Sequence, residues 1–320
     1  MPVGVGRARR YPAGNPGFSK ALLRRDSQFM FPLYRSLCAS SPWIIPQRPS
    51  GPAVTVTVTP SENELLERRI PITGTWNVRH VGGYVTTDGR TTKPYTLIRG
   101  DALHGLDDDG RAHLRSLSVR TVIDLRRDTE RETHPDLLDD VGARVINLPL
   151  FEADRGAGAT GDLELTLDGI YRMLVEDRGP AIAAVIRELA APGALPAVVH
   201  CSVGKDRTGV IIALVLSVVG VPDEVIALDF AATGLFLTDE RRALMVAMIA
   251  SYGMEESQAA QLMSSDPVLI TEVLASVRRL HGSVESYLVA HGVPLEDIDA
   301  LRRELLEAQP GEGASAPLAG

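Results

Sequence analysis

The chain has 320 residues, 44% of them apolar and 23% charged, which is enough apolar material for one large domain with its own core. Two cysteines, Cys38 and Cys201, exclude the cysteine framework of a small secreted protein, and a reducing, cytoplasmic setting is expected. Of 33 basic and 41 acidic residues, residues 1–50 hold eight basic ones and the single acid Asp26; the remaining 25 basic and 40 acidic side chains leave the rest at −15 against −8 overall, which excludes a general nucleic-acid surface because duplex affinity comes chiefly from neutralised phosphates.

Residues 1–52 are rich in Pro, Gly, Ser and Arg without a sustained period, and a disordered N-terminal extension is expected there. The Arg-rich, acid-poor start has the character of a transit peptide, but no apolar core of a secretory signal follows the arginines. Val54–Thr59 alternates Val and Thr and predicts a strand. Next come a turn around Asp88-Gly89 within Tyr84–Lys93 and a strand over Tyr95–Arg99. Asp107–Leu117 predicts a helix with acids in its first turn. A buried strand (Val119–Leu125), a short helix (Pro135–Val141), a strand (Arg144–Leu150) and a polar, Gly-rich loop (Glu152–Gly161) follow. Helices over Leu163–Glu176 and Pro180–Ala190 precede the apolar, β-branched strand Ala197–His200. Thr208–Val219 is apolar almost all round and predicts a buried helix. The run Val210–Val221 is too short to span a bilayer, so no membrane insertion is expected.

The remaining periodic segments predict helices over Pro222–Phe236, Arg241–Tyr252 (capped by Thr238), Glu255–Met263, Pro267–Leu280, Val284–His291 and Leu295–Ala308. Met245, Met248, Met254 and Met263 fall in one stretch and suit either a core or an adaptable cover. A disordered tail is expected over 309–320, which leaves one domain over 53–308. Strands alternating with helices predict an α/β fold with a mainly parallel central sheet flanked by helices. In such sheets ligands sit at the carboxyl ends of the strands, where Asp124 and Cys201 both fall.

The segment from Val198 to Gly209 carries the chemistry. Cys201 and Arg207 stand five residues apart between a strand and a helix. A loop curling at a helix N-terminus turns successive N–H groups inward and makes an anion nest, here with Ser202, Val203, Gly204 and Lys205 as phosphate-binding candidates. Gly204 and Gly209 permit tight bending and close approach. The helix dipole and Arg207 both favour a thiolate at Cys201, and the planar fork of Arg207 suits two phosphate oxygens. Thr208 or Ser202 can donate a hydroxyl to the sulfur, and His200 can fix the loop through its ring. Lys205, one of three lysines in the chain, reads either as a mobile rim cation for a second phosphate or as an ordinary solvated side chain. Asp124 and Arg126 read either as phosphate contacts or as a strand-end ion pair. The pattern needs no metal or cofactor, because the loop itself supplies positive charge.

His-Cys-x-x-Gly-Lys-Asp-Arg-Thr-Gly resembles the active-site loop of the cysteine-dependent protein tyrosine phosphatases. Its Gly-Lys-Asp-Arg form resembles the atypical bacterial members that also accept phosphoserine, phosphothreonine and phosphoinositides. Thr75–Gly83 is similar to that family's Asn-Phe-Arg-Asp-x-Gly-Gly start, and Leu97–Asp101 with Val119–Arg126 is similar to its next block. The similarity spans about residues 68–307 and departs at His80, usually Asp, and Gly100, usually Ser. It implies a cysteine-phosphatase fold with a helical lid at about 238–280. It also implies a phosphoric monoester hydrolase with Cys201 as nucleophile, Arg207 as phosphate ligand and Asp206 as general acid. Phosphorylated proteins or phosphoinositides are the implied partners. The alternative acids are Glu152 and Asp154, in the loop after Leu150, the position from which many cysteine phosphatases take this group. Alternative functions are a phosphoinositide or small-molecule phosphatase, a catalytically weak phosphate-binding module and, more remotely, a sulfur transferase. The sequence leaves the oligomeric state open.

Overall fold

The computed structural model describes residues 57–151, 166–251 and 253–308. Five strands form one sheet: β1 (Arg79–His80), β2 (Leu97–Gly100), β3 (Thr121–Asp124), β4 (Arg144–Asn147) and β5 (Ala197–His200), in the order β1-β2-β5-β3-β4. All neighbours are parallel except β1 on β2. This is the mainly parallel α/β architecture that the alternation of patterns predicts. His200 pairs with Gly100 on one side and Asp124 on the other, so three strand ends are level at the carboxyl edge of the sheet.

Strand residues alternate between two cores, as a period of two requires. Leu97, Ile123, Ala197 and Val199 face the larger one, and Ile98, Val122 and Val198 face the smaller one. The helices in chain order are α1 (Glu62–Glu67), α2 (Asp108–Ser116), α3 (Asp128–Thr133), α4 (Leu167–Asp177), α5 (Gly179–Ala190) and α6 (Asp206–Val218). They continue with α7 (Asp223–Ala231), α8 (Thr233–Phe236), α9 (Asp239–Ala250), α10 (Glu256–Leu262), α11 (Pro267–His281), α12 (Val284–Ala290) and α13 (Leu295–Leu305). Leu114 of α2 lines the smaller core. Helices α4 to α7 and α11 to α13 line the larger one, with α6 buried on almost every side, as its uniformly apolar sequence demands.

Several expectations are corrected. Of the strand expected over 54–59, residues 57–59 are described, and they belong to no strand. The helix expected over 135–141 lies earlier, at α3; Glu130 accepts the Arg127 N–H and fixes its start, while Asp136 is drawn inward into ion pairs. The helix expected over 222–236 is interrupted at Ala232. The cover expected over 238–280 divides as well. Helix α11 packs on α7, α4, α6 and α12, whereas α9 and α10 pack chiefly on each other and send Val246 and Ala259 into the larger core. There Met263 is buried, Met245 and Met254 are partly buried against the core, and Met248 is exposed. No described helix is long and apolar enough to cross a membrane. The extension over 1–52, the tail over 309–320 and the loop residues Glu152 and Asp154 lie outside the described residues.

Candidate active site

The loop from Cys201 to Lys205 joins β5 to the start of α6. Three successive carbonyls of it are tied to the scaffold behind. Ser202 O accepts the Ala102 N–H at 3.3 Å, Val203 O accepts Asn77 Nδ2 at 2.9 Å, and Gly204 O accepts Arg99 Nη2 at 2.8 Å and Asn77 Nδ2 at 3.2 Å. A trans peptide points its N–H opposite to its carbonyl, so the N–H groups of Val203, Gly204 and Lys205 face the other way. The Gly204 N–H reaches Cys201 Sγ at 3.3 Å. Gly204 adopts φ +71°, and a Cβ there would lie 2.4 Å from Gly100 O, so the turn requires glycine on both counts.

Burial pushes the Cys201 thiol up, but the Arg207 charge and the Thr208 hydroxyl and N–H outweigh it and hold the thiol below its ordinary value. The Thr208 hydroxyl is buried without a nitrogen or oxygen partner, which leaves the sulfur as the group it acts on. Ser202 does not serve the sulfur; its hydroxyl donates to Glu130 Oε1.

Arg207 is held by Glu130, a residue that sequence reading does not single out. Nη1 donates to Oε2 at 2.8 Å and Nη2 to Oε1 at 3.0 Å, a side-by-side fork, and Nη2 also reaches Ser202 Oγ at 3.2 Å. Burial works against the Glu130 carboxylate, but Arg207 and Ser202 hold it well below the usual carboxylate range.

Asp206 opens α6, and its Oδ1 accepts two donors at 2.6 Å: the Tyr171 hydroxyl from α4 and Lys205 Nζ. Lys205 Nζ also donates to Ser264 O at 2.8 Å, beyond α10. Lys205 is therefore not a mobile rim cation. Its side chain is 1% exposed and bridges the loop to the segment after α10. A buried lysine is tolerable because the two contacts compensate its charge and take two of its three donors.

Asp124, His200, Arg126 and Asp136 form a buried cluster at the ends of β3 and β5. Arg126 Nη2 donates to Asp124 Oδ2 at 2.9 Å and pairs with Asp136 Oδ2 at 2.8 Å, while His200 Nε2 lies 3.2 Å from Asp136 Oδ2 and 3.9 Å from Asp124 Oδ1. Burial disfavours the His200 cation, but the facing carboxylates raise its affinity for a proton. Asp124, Asp136 and His200 are close enough together to suggest a metal site, but the guanidinium of Arg126 already stands between the two carboxylates. Asp124 thus stands as a strand-end support, with Arg126 on both its oxygens. The His200 ring lies beside Asp136, in the segment after α3, and makes no hydrogen bond to the loop. Neither departure from the family pattern supplies a loop N–H, although the Gly100 carbonyl packs against Gly204. His80 Nδ1 accepts the Gly82 N–H, and a Cβ at Gly100 would come 2.9 Å from Val78 Cγ2.

A cysteine and an arginine delivered to one anion nest at the end of a parallel strand make the arrangement of a cysteine-dependent phosphatase. The chain belongs to the tyrosine phosphatase family, whose model matches residues 70–307, and it is accordingly a phosphatase, a hydrolase acting on phosphorylated substrates. It is similar to the triple specificity protein phosphatase PtpB of Mycobacterium tuberculosis, 28% identical over 75% of this chain and 99% of that protein. It is also similar to a tyrosine-protein phosphatase of Nostoc commune, 27% identical over 66% of this chain and 74% of that one. The crystal structure of P. aeruginosa TpbA matches 54% of this chain and 89% of its own at 24% identity, with a TM-score of 0.30.

Proposed function

We propose that the chain hydrolyses phosphotyrosine on proteins through a cysteinyl-phosphate intermediate, with phosphoserine, phosphothreonine and phosphoinositides as further substrates. The observation that carries this reading is the Cys201 sulfur at the N-terminal end of α6, reached by the Gly204 N–H at 3.3 Å, with the Arg207 charge near enough to lower the thiol. The sulfur attacks phosphorus, an S–P bond forms and the ester P–O bond breaks. Asp206 gives its proton to the departing oxygen. Its Oδ1 is taken by Tyr171 and Lys205, which leaves Oδ2 to carry that proton. Water then attacks phosphorus, the S–P bond breaks, the proton returns to Asp206, and the thiolate is restored with release of phosphate. The breadth of substrates is supported by the similarity to PtpB, itself described as triple specificity.

The test is phosphate release from phosphotyrosyl, phosphoseryl and phosphothreonyl peptides and from phosphoinositides, wild type against Cys201→Ser. Release from phosphotyrosyl peptide is expected, and it should be lost in the variant while phosphate still binds, because a hydroxyl is a far poorer nucleophile. Activity retained in Cys201→Ser above roughly one per cent would defeat the mechanism. Release from the lipids alone would make this a phosphoinositide phosphatase.

A further inference from the structure

A buried ion cluster lies behind the nest, and the roles assigned above to Cys201, Asp206 and Arg207 do not use it. Asp229, on α7, is 1% exposed, and Arg79 and Arg99 are fully buried. Asp229 Oδ2 accepts Arg99 Nη1 at 2.6 Å. Its Oδ1 accepts the Tyr84 hydroxyl at 3.0 Å and Arg79 Nε at 3.4 Å, and its backbone carbonyl accepts Arg79 Nη2 at 2.8 Å. The two arginines continue toward the loop. Arg99 Nη2 donates to Gly204 O at 2.8 Å. Arg79 Nη1 donates to Asn77 Oδ1 at 2.5 Å, which turns Asn77 Nδ2 onto the carbonyls of Val203 and Gly204.

Burial opposes the Asp229 charge, but the two guanidiniums outweigh it and hold the carboxylate below its usual range. Burial and the neighbouring Arg99 lower Arg79 to about 10, still charged at neutral pH. Two cations aimed at one loop would repel each other without this carboxylate between them.

We propose that Asp229 is a positioning residue of the phosphate loop. By holding Arg99 directly, and Asn77 through Arg79, it keeps the Val203 and Gly204 carbonyls turned to the rear. The N–H groups of Gly204 and Lys205, on the opposite ends of those peptides, are then fixed toward the anion. The 3.3 Å contact from the Gly204 N–H to the Cys201 sulfur is the local result. A buried ion pair is weak evidence for stability, since an apolar replacement often serves as well, whereas orienting a loop needs directional bonds.

The proposal rests on reading the Cys201 loop as an anion nest, and the test separates the two. Vanadate inhibition and the pH dependence of Cys201 alkylation by iodoacetate are measured in the wild type, Asp229→Asn and Arg99→Lys. A third variant, Arg278→Gln, loosens α7 at its other end by removing the Arg278–Asp223 pair. Asp229→Asn and Arg99→Lys should weaken vanadate about tenfold and reduce kcat/KM about 10²-fold. They should also move the alkylation midpoint toward the free-thiol value of ~8.5. Arg278→Gln should lower Tm with vanadate affinity and midpoint at wild-type values. If Asp229→Asn lowers Tm but leaves the vanadate and alkylation readouts unchanged, Asp229 is merely structural and the proposal fails. If Asp229→Asn does not fold, Arg99→Lys decides by the same readouts; if neither folds, the cluster is structural and the proposal falls. A wild type that vanadate does not inhibit would instead overturn the nest itself.

Discussion

Glu130→Gln isolates the orientation of Arg207. In the wild type the guanidinium enters a two-bond fork on Glu130, with the arginine side chain 11% exposed and the glutamate 21%. Glutamine keeps one carbonyl acceptor and turns an amide NH₂ toward the second Nη, so one bond is lost and the other keeps only the charge of its donor. Arg207 then regains rotamer freedom that it must give up to grip phosphate, about 1.5–2 kcal/mol for a long side chain. At 1.36 kcal/mol per decade this is roughly a 10–30-fold fall in kcat/KM. An opposing effect exists: the substitution removes a negative charge beside a dianionic substrate and by itself tightens binding. Salt separates them. In about 1 M salt, where the screening length is ~3 Å, the charge effect shrinks and the orientation loss remains. The assay is kcat/KM on a phosphotyrosyl peptide at low and high salt. An unchanged kcat/KM at high salt would show that Arg207 needs no holder and refute the reasoning.

Asp206→Asn should slow release of poor leaving groups by about 10²-fold in single-turnover rates and an activated aryl phosphate much less; a uniform loss would mean that Asp206 only shapes the loop. Lys205→Met removes both ties of the buried ammonium, to Asp206 and to Ser264 O, so amide exchange over residues 259–266 should quicken about tenfold; unaltered exchange would show that Lys205 does not hold that segment. Burial raises the Asp101 carboxyl to about 6, above its unfolded value, so the native state binds the extra proton and stability falls as pH rises from about 4 through 6. Asp101→Asn should flatten that segment, by about 2–3 kcal/mol relative to wild type; parallel stability curves would refute the assignment.

The nest was legible because its parts are contiguous. Cys201, Gly204 and Arg207 lie in one strand–loop–helix segment, and a helix N-terminus has a fixed chemistry. Glu130 was not legible. It is one of 41 acids, 77 positions from Arg207, and nothing in its neighbourhood marks it except a place in a short helix that the pattern put too late. Pro135 looked like a helix start, but the turn it begins is spent on carrying Asp136 to Arg126 and His200. The burial of Lys205 is not legible in the sequence for a general reason: lysine is rarely buried. Only the meeting of Asp206 and a carbonyl from the far side of α10 makes it possible. The sheet was easier, because apolar β-branched runs such as Val198-Val199 and Val122-Ile123 carry their own signal.

The two stretches outside the loop that resemble the family acquire a physical meaning from the carbonyl accounting. Every loop N–H kept for an anion belongs to a peptide whose carbonyl must find a donor elsewhere, because a buried backbone acceptor left unpaired is costly. In a regular helix or strand the neighbouring turn or chain supplies that donor; in a nest it cannot. Here the donors are the Ala102 N–H, the Asn77 amide and the Arg99 guanidinium. Asn77 is itself held from both directions: its N–H and that of Trp76 donate to Asp101, and its Oδ1 accepts Arg79. Thr75–Gly83 and Leu97–Asp101 are thus the rear wall of the site. Asn77, Arg79, Arg99 and Asp101 in that wall are fully or nearly buried, where polar groups survive only with partners in place. A change in that wall reaches the reacting sulfur through the direction of a single peptide, and so two segments about a hundred residues upstream belong to the chemistry of Cys201 although neither touches it.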